Sequence, residues 1–233
     1  MLILAFETSA KAGSVALMDE NKLLGESYQN TGLTHSQTLL QMAQQLLSSC
    51  GKTPEDVTAV AVAQGPGSFT GVRIGVAAAK GFSWGSQIPC YGVSTLEAMA
   101  RQLGIWQGYV CPVMDARRSQ VYNALFYVNR GIVERIAPDR AIALADLKNE
   151  LKKCKESVFL VGDGSKLCYN TLLEDVDTLV LPPEHKTHQR AVGVGLAALA
   201  QRRRGESTDA ATSAPNYLRL SQAEREKLAR EQK

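Results

Sequence analysis

Two carboxylates hold equivalent places in the sequence. Each ends an apolar run and opens a short polar turn. Glu7 closes Leu2-Ile3-Leu4-Ala5-Phe6 and leads into Thr8-Ser9-Ala10-Lys11-Ala12-Gly13-Ser14. Asp115 follows Met114 and leads into Ala116-Arg117-Arg118-Ser119. A carboxylate at the end of a buried strand can hold a metal or a water, and the backbone N–H groups and hydroxyls of such a turn can hold a phosphate. The same turns also read as hairpins with polar residues. Arg117 and Arg118 weaken the phosphate reading of the second turn, because close approach to phosphate favours small residues. A third turn, Val161-Gly162-Asp163-Gly164-Ser165, separates an apolar run from a helical pattern. It suits contact with an adenosine or, more simply, a strand-to-helix turn capped by Ser165. The candidate nucleotide-proximal residues are Glu7, Thr8, Ser9, Asp115, Arg117, Gly162 and Gly164.

Other chemistries lack their residues. The three histidines are His35, His185 and His188, and none forms a helical HxxxH or HExxH pair. No catalytic metal site is expected. No GxSxG nucleophile turn is present. Gly65-Pro66-Gly67-Ser68-Phe69-Thr70-Gly71 lacks the Lys-Ser/Thr ending of a Walker loop. The five cysteines are odd in number, scattered and without a CxxC pair, so neither a disulfide framework nor a zinc site is expected. A formal charge of +3 is too small to argue for nucleic-acid binding by itself. Arg202-Arg203-Arg204 reads as a helix end that complements the dipole. No apolar run approaches the roughly 20 residues that span a bilayer. The first residues have no basic leader region, so a cytoplasmic, reducing location is expected.

The most distinctive stretch is GPGSFTGVRIG (65–75). Ser68 or Thr70 can cap the helix that follows, and Gly71, Gly75 and Ala79 then share one helical face. A stripe of small residues lets another backbone approach closely. Without such a neighbour, each glycine costs about 1 kcal/mol against alanine. The neighbour is either the protein's own sheet or a second chain.

These residues need a scaffold, and hydrophobic periodicity supplies one. Strands are expected at 2–7, 13–19 and 22–29. A helix follows at 34–50 with a Thr34/Gln37 capping box, then a strand at 57–63, a helix at about 70–84, a strand at 88–93 and a helix capped by Ser94 and ending at Gly104. The same order then recurs, with strands at 109–115, 120–128 and 131–137, a helix at 144–153, a strand at 158–161, a helix at 166–173, a strand at 178–181 and a helix at 188–203. Each half reads βββαβα, an α/β organisation with two facing lobes. Actin, the Hsp70 ATPase and sugar kinases share this layout (the ASKHA fold). Residues 1–105 form the N-terminal lobe and 106–204 the C-terminal lobe. Residues 205–233 are a polar linker and tail.

Several stretches resemble the TsaB family of bacterial subunits that act in making threonylcarbamoyladenosine beside the tRNA anticodon. They are LAFETSAKAGSVAL (4–17), THSQTLL (34–40), GPGSFTGVRIG (65–75), YGVSTLEAMA (91–100), VMDARRSQVY (113–122), LVGDGS (160–165) and PNYLRL (215–220). The resemblance implies the two-lobed fold and a non-catalytic partner of TsaD, the related subunit that transfers the threonylcarbamoyl group. It also implies association with the ATPase TsaE, contact with tRNA through the complex, and no cofactor of its own, ATP or ADP belonging to the complex. The TsaD contact is implied on the helices at 34–50 and 70–85. That places His35, Leu39, Met42, Gly71, Gly75, Ala78, Ala79 and Phe82 at a partner interface, and the same surface could form a homodimer. The rival readings are a free-standing ATP-dependent phosphotransferase or ATPase of the same fold, and a metallopeptidase, whose ligands are missing.

Overall fold

The computed structural model describes residues 1–105, 107–117, 119–206 and 214–219. The first half runs β1 (Ile3–Glu7), β2 (Gly13–Met18), β3 (Leu23–Gln29), α1 (His35–Ser49), β4 (Ala59–Ala63), α2 (Phe69–Ser86), β5 (Cys90–Val93) and α3 (Thr95–Leu103). The second runs β6 (Gln107–Asp115), β7 (Gln120–Asn129), β8 (Ile132–Ala143), α4 (Leu144–Leu151), β9 (Val158–Val161), α5 (Ser165–Leu172), β10 (Leu179–Val180), α6 (Glu184–Thr187) and α7 (Ala191–Arg203). The first sheet has the order β3-β2-β1-β4-β5 and the second, read from its far edge, β8-β7-β6-β9-β10. In both, the first three strands are antiparallel and the next two add in parallel. The doubled βββαβα order is therefore a doubled topology, the two-lobed actin/Hsp70/sugar-kinase-like fold.

Strand alternation sorts the first sheet into two faces. Leu4, Phe6, Val15, Leu17, Val60 and Val62 meet α1 and α2. Ala5, Ala16, Ala59, Ala61 and Ala63 form the opposite face, with Ile3 and Met18. This alanine face admits a close helix, and that helix is α7. By order alone the last helix belongs to the second lobe, so the expected 106–204 unit is corrected here. The helix starts at Ala191, later than expected, and returns to β1, β2, β4 and β5. First-lobe side chains satisfy its opening N–H groups: Ala191 N donates to Ser14 Oγ at 2.8 Å and Val192 N to Glu26 Oε1 at 3.2 Å. Conversely, α3 turns Leu96, Met99 and Leu103 towards the second sheet, against Val110, Met114, Phe126 and Val128. Each sheet thus carries a helix from the other half.

Two local expectations change. Thr34 precedes α1 but its side chain makes no capping bond to the helix backbone; its carbonyl accepts from Gln37 N at 3.0 Å. A capping box forms instead at Thr53 and Asp56. Strand β8 continues to Ala143, past the expected end at 137, because Pro138 lies on a sheet edge where its missing N–H costs no ladder bond. Among the described residues no helix is long and apolar enough to cross a membrane. The call of a solvated or frayed helix at 221–233 lies outside the described residues.

Candidate functional site

The two lobes meet at the end of β1. Glu7, Thr8 and Ser9 are fully buried there. Glu7 Oε1 accepts a 2.6 Å hydrogen bond from Ser9 N. Burial pushes its carboxyl up to about 7, against the weaker pull of the Ser9 bond, and the nearby Asp163 charge adds to the rise. The Ser9 hydroxyl adjoins the carboxyl and lowers its pKa, and among the described residues Glu7 Oε2 and Ser9 Oγ have no hydrogen-bond partner. Such a carboxyl can hold or release a proton near neutrality.

Thr8 and Ser9 are also tied to the start of α2. Thr8 Oγ1 donates to the Gly71 carbonyl at 2.7 Å, and Ser68 N donates to the Ser9 carbonyl at 2.6 Å. The glycines of 65–75 make this approach fit: a Cβ on Gly67 would lie 2.5 Å from Ser9 O, and on Gly71 or Gly75 it would collide with Thr8.

The second-lobe candidates form their own group. Asp115 is exposed and its Oδ1 accepts from Arg117 N at 2.7 Å. Arg117 and Ser119 both hold left-handed backbone, with φ of 63° and 57°. Arg118 lies outside the described residues. Gly164 N donates to Val113 O at 3.1 Å, and a Cβ on Gly164 would sit 3.1 Å from Asp115 N. Gly162 has φ +103° and its Cα faces the Val113 carbonyl. The β6 end and the β9–α5 turn are thus brought together. They approach Glu7 through Asp163, whose carboxyl keeps an accessible edge while desolvation raises its pKa. Gln189 Nε2 donates to it at 3.4 Å, and Gln189 Oε1 is buried without a partner among the described residues. Asp163 and Gln189 were absent from the candidates; nothing in the spacing of Gln189 points to this seam. Ser165 makes no side-chain cap at α5.

The α1–α2 face corrects the interface expectation. Gly71, Gly75 and Ala79 are buried against their own chain, and Leu39 and Met42 belong to the core beneath. Ala78 and Phe82 are half-buried against that core. His35 Nε2 donates to the Ala10 carbonyl at 2.8 Å and its ring closes on Gly13. None of the small stripe is available to a second chain. A different line is: Arg73, Ala77, Gly81 and Gly85 recur every four residues and are exposed. Among the described residues, a Cβ on Gly81 or Gly85 would meet nothing within 4 Å. Trp84 on the same helix is 63% exposed, and on the adjoining α1 Leu40 is 61% and, before that helix, Leu33 59% exposed. The repeat was present in the sequence, but two interleaved small-residue stripes on one helix give no sign of which faces out.

Relatives fit this geometry. A protein from Bacillus subtilis named tRNA threonylcarbamoyladenosine biosynthesis protein TsaB is 34% identical over 228 residues, covering 96% of each chain. The chain belongs to the TsaB family. Escherichia coli TsaB is 40% identical over 126 residues, 52% of this chain and 53% of that protein. The solved structure of YeaZ from Pseudomonas aeruginosa superposes with a TM-score of 0.77 at 27% identity, covering 93% of this chain and 99% of that one. Residues 29–227 also match the family model described as TsaD, tRNA N6-adenosine threonylcarbamoyltransferase. This member of the TsaB family is therefore related to the transferase across both lobes.

Proposed function

We propose that this chain is a non-catalytic assembly subunit for threonylcarbamoyladenosine modification of tRNA, acting through a TsaD-like paralogue. The observation that carries this is the exposed Arg73-Ala77-Gly81-Gly85 line on α2, with exposed Trp84 on the same helix and exposed Leu40 on the adjoining α1, on a chain that matches the TsaD family model. A paralogue with the same lobe would carry a matching helix pair, and α1 and α2 would meet their counterparts in a pseudo-two-fold contact. A four-helix contact of this kind would bury on the order of 1,500 Å², enough for a specific complex. Without the paralogue the same face would pair with itself.

Among the described residues no three His, Cys, Asp or Glu side chains gather as metal ligands. In this reading ATP and the TsaE-like ATPase belong to the assembled complex, tRNA is met through it, and the chain works in the cytoplasm.

Reconstitution tests this. The TsaD-like and TsaE-like subunits, ATP, an activated threonylcarbamoyl donor and unmodified tRNA are combined with and without this chain, and modified nucleoside is measured by mass spectrometry. Product should form only when the chain is present. Equal product without it, or ATP turnover at an enzyme-like rate by the chain alone, would sink the proposal.

A further inference from the structure

The segment Ala214–Arg219 crosses from one lobe to the other. Asn216 N donates to the Gln64 carbonyl at 2.6 Å. Its own carbonyl fills the space where a Gly65 side chain would be, 2.6 Å from that Cβ position. Gly65, at φ +115°, is thus required twice over, for its backbone and for this approach. Tyr217 stacks on Phe69, with ring centroids 4.4 Å apart and planes 22° apart. Its hydroxyl accepts from Arg73 Nε at 2.8 Å, while the Arg73 guanidinium lies 3.8 Å over the Phe69 ring. Two residues later, Arg219 Nη1 donates to the Ala116 carbonyl at 2.7 Å. Gln64, Phe69 and Arg73 belong to the first lobe. Ala116 belongs to the β6–β7 turn of the second, beside the left-handed Arg117.

We infer that residues 214–219 are a latch tying the two lobes, and that the latch is coupled to partner docking on α2. Any separation of the lobes at this seam must break the Arg219–Ala116 bond or peel Tyr217 from Phe69. The segment joins no sheet or helix and Tyr217 stays 40% exposed, so it sits at the weakly held, reversible end of the structure. Arg73 is also the first residue of the exposed line along α2. A partner seated on that line meets the Arg73–Tyr217 pair at its edge. Binding there favours the latched form, and by linkage the latched form favours binding. This coupling rests on the partner reading above; the latch itself does not.

The experiment compares wild type, Tyr217→Ala, Tyr217→Phe and Arg219→Ala by hydrogen exchange on the chain alone. Either alanine variant should speed exchange about tenfold in both residues 64–69 and 116–119, with β1, β4 and β6 unchanged. Tyr217→Phe, which keeps the stack, should fall between. Faster exchange confined to the loop that touches the altered residue, or no change, would show that the segment does not tie the lobes. Affinity for the TsaD-like paralogue is then measured. Arg219 makes its hydrogen bond to the second-lobe turn rather than to the exposed α2 line, so an affinity loss of about tenfold in Arg219→Ala reads coupling rather than a missing contact. Wild-type affinity in that variant overturns the coupling. Failure of the wild-type chain to bind the paralogue removes the partner reading and the coupling with it, while the exchange data still decide the latch.

Discussion

The Thr8 hydroxyl donates to the Gly71 carbonyl at 2.7 Å, which seats the β1–β2 turn directly on α2. This contact sets two effects against each other in Gly71→Ala. Helix propensity alone predicts a gain of up to about 1 kcal/mol. Packing predicts a loss, because the new methyl would collide with the Thr8 backbone carbonyl, which cannot swing aside as a flexible side chain would. Overpacking of this kind costs about 1–3 kcal/mol, so net destabilisation is expected in urea unfolding. A more stable Gly71→Ala would mean that the turn does not rest on α2.

Glu7 gives a pH prediction. Its native pKa of about 7 lies above the ordinary 4.5, so the folded chain binds the proton more tightly than the unfolded one. The contribution is fully present below pH 4.5 and is lost as pH rises through about 7. The loss is on the order of 3 kcal/mol as an upper bound. Asp163, also raised, adds to the same trend. Glu7→Gln should flatten the fall in stability between about pH 5 and pH 8, leaving the part due to Asp163 and other groups. Parallel curves for wild type and variant would show that Glu7 titrates normally.

The strands and most helices were legible because their signals are local. Continuous apolar runs mark β1 and β4. Ser68 and Ser94 cap α2 and α3 with side-chain bonds from Gly71 N and Glu97 N, within the helix starts that the sequence marks. The swapped helices were not legible. Only the alanine face of the first sheet and the acceptors Ser14 and Glu26 place α7, and these lie far from it in sequence. The same holds for the seam. GPGSFTG announces that something approaches closely, but only the fold shows that it is Thr8 and Ser9 from one side and Asn216 from the other.

The returning α7 can be tested at Ser14, which is fully buried in β2. Ser14→Ala removes the acceptor of Ala191 N and leaves a buried helix-end N–H without a partner. A loss of about 1–3 kcal/mol is expected in denaturant unfolding. Exchange should rise first at the opening turn of α7. An unchanged midpoint would mean that water or another group serves that N–H equally well.

The partner face is decided by two arginine substitutions on one helix. Gly75 is buried beneath α2, with Thr8 and Val62 around its Cα. Gly75→Arg inserts a long side chain where overpacking alone costs about 1–3 kcal/mol, and it buries an unpaired charge besides. It should misfold or lose its cooperative thermal transition. Gly81 is exposed, with nothing among the described residues within 4 Å of its Cβ position. Replacing an exposed helical glycine gains up to about 1 kcal/mol, so Gly81→Arg should fold at least as well as wild type. Between two closely apposed helix pairs, however, the arginine has no room. Affinity for the TsaD-like paralogue should fall at least about a hundredfold, near 3 kcal/mol, and any homodimer should run as a monomer in light scattering. Because the two positions differ only in which way they face, the pair separates lost folding from lost docking. A folded Gly81→Arg that still binds the paralogue at wild-type affinity would move the contact off α2.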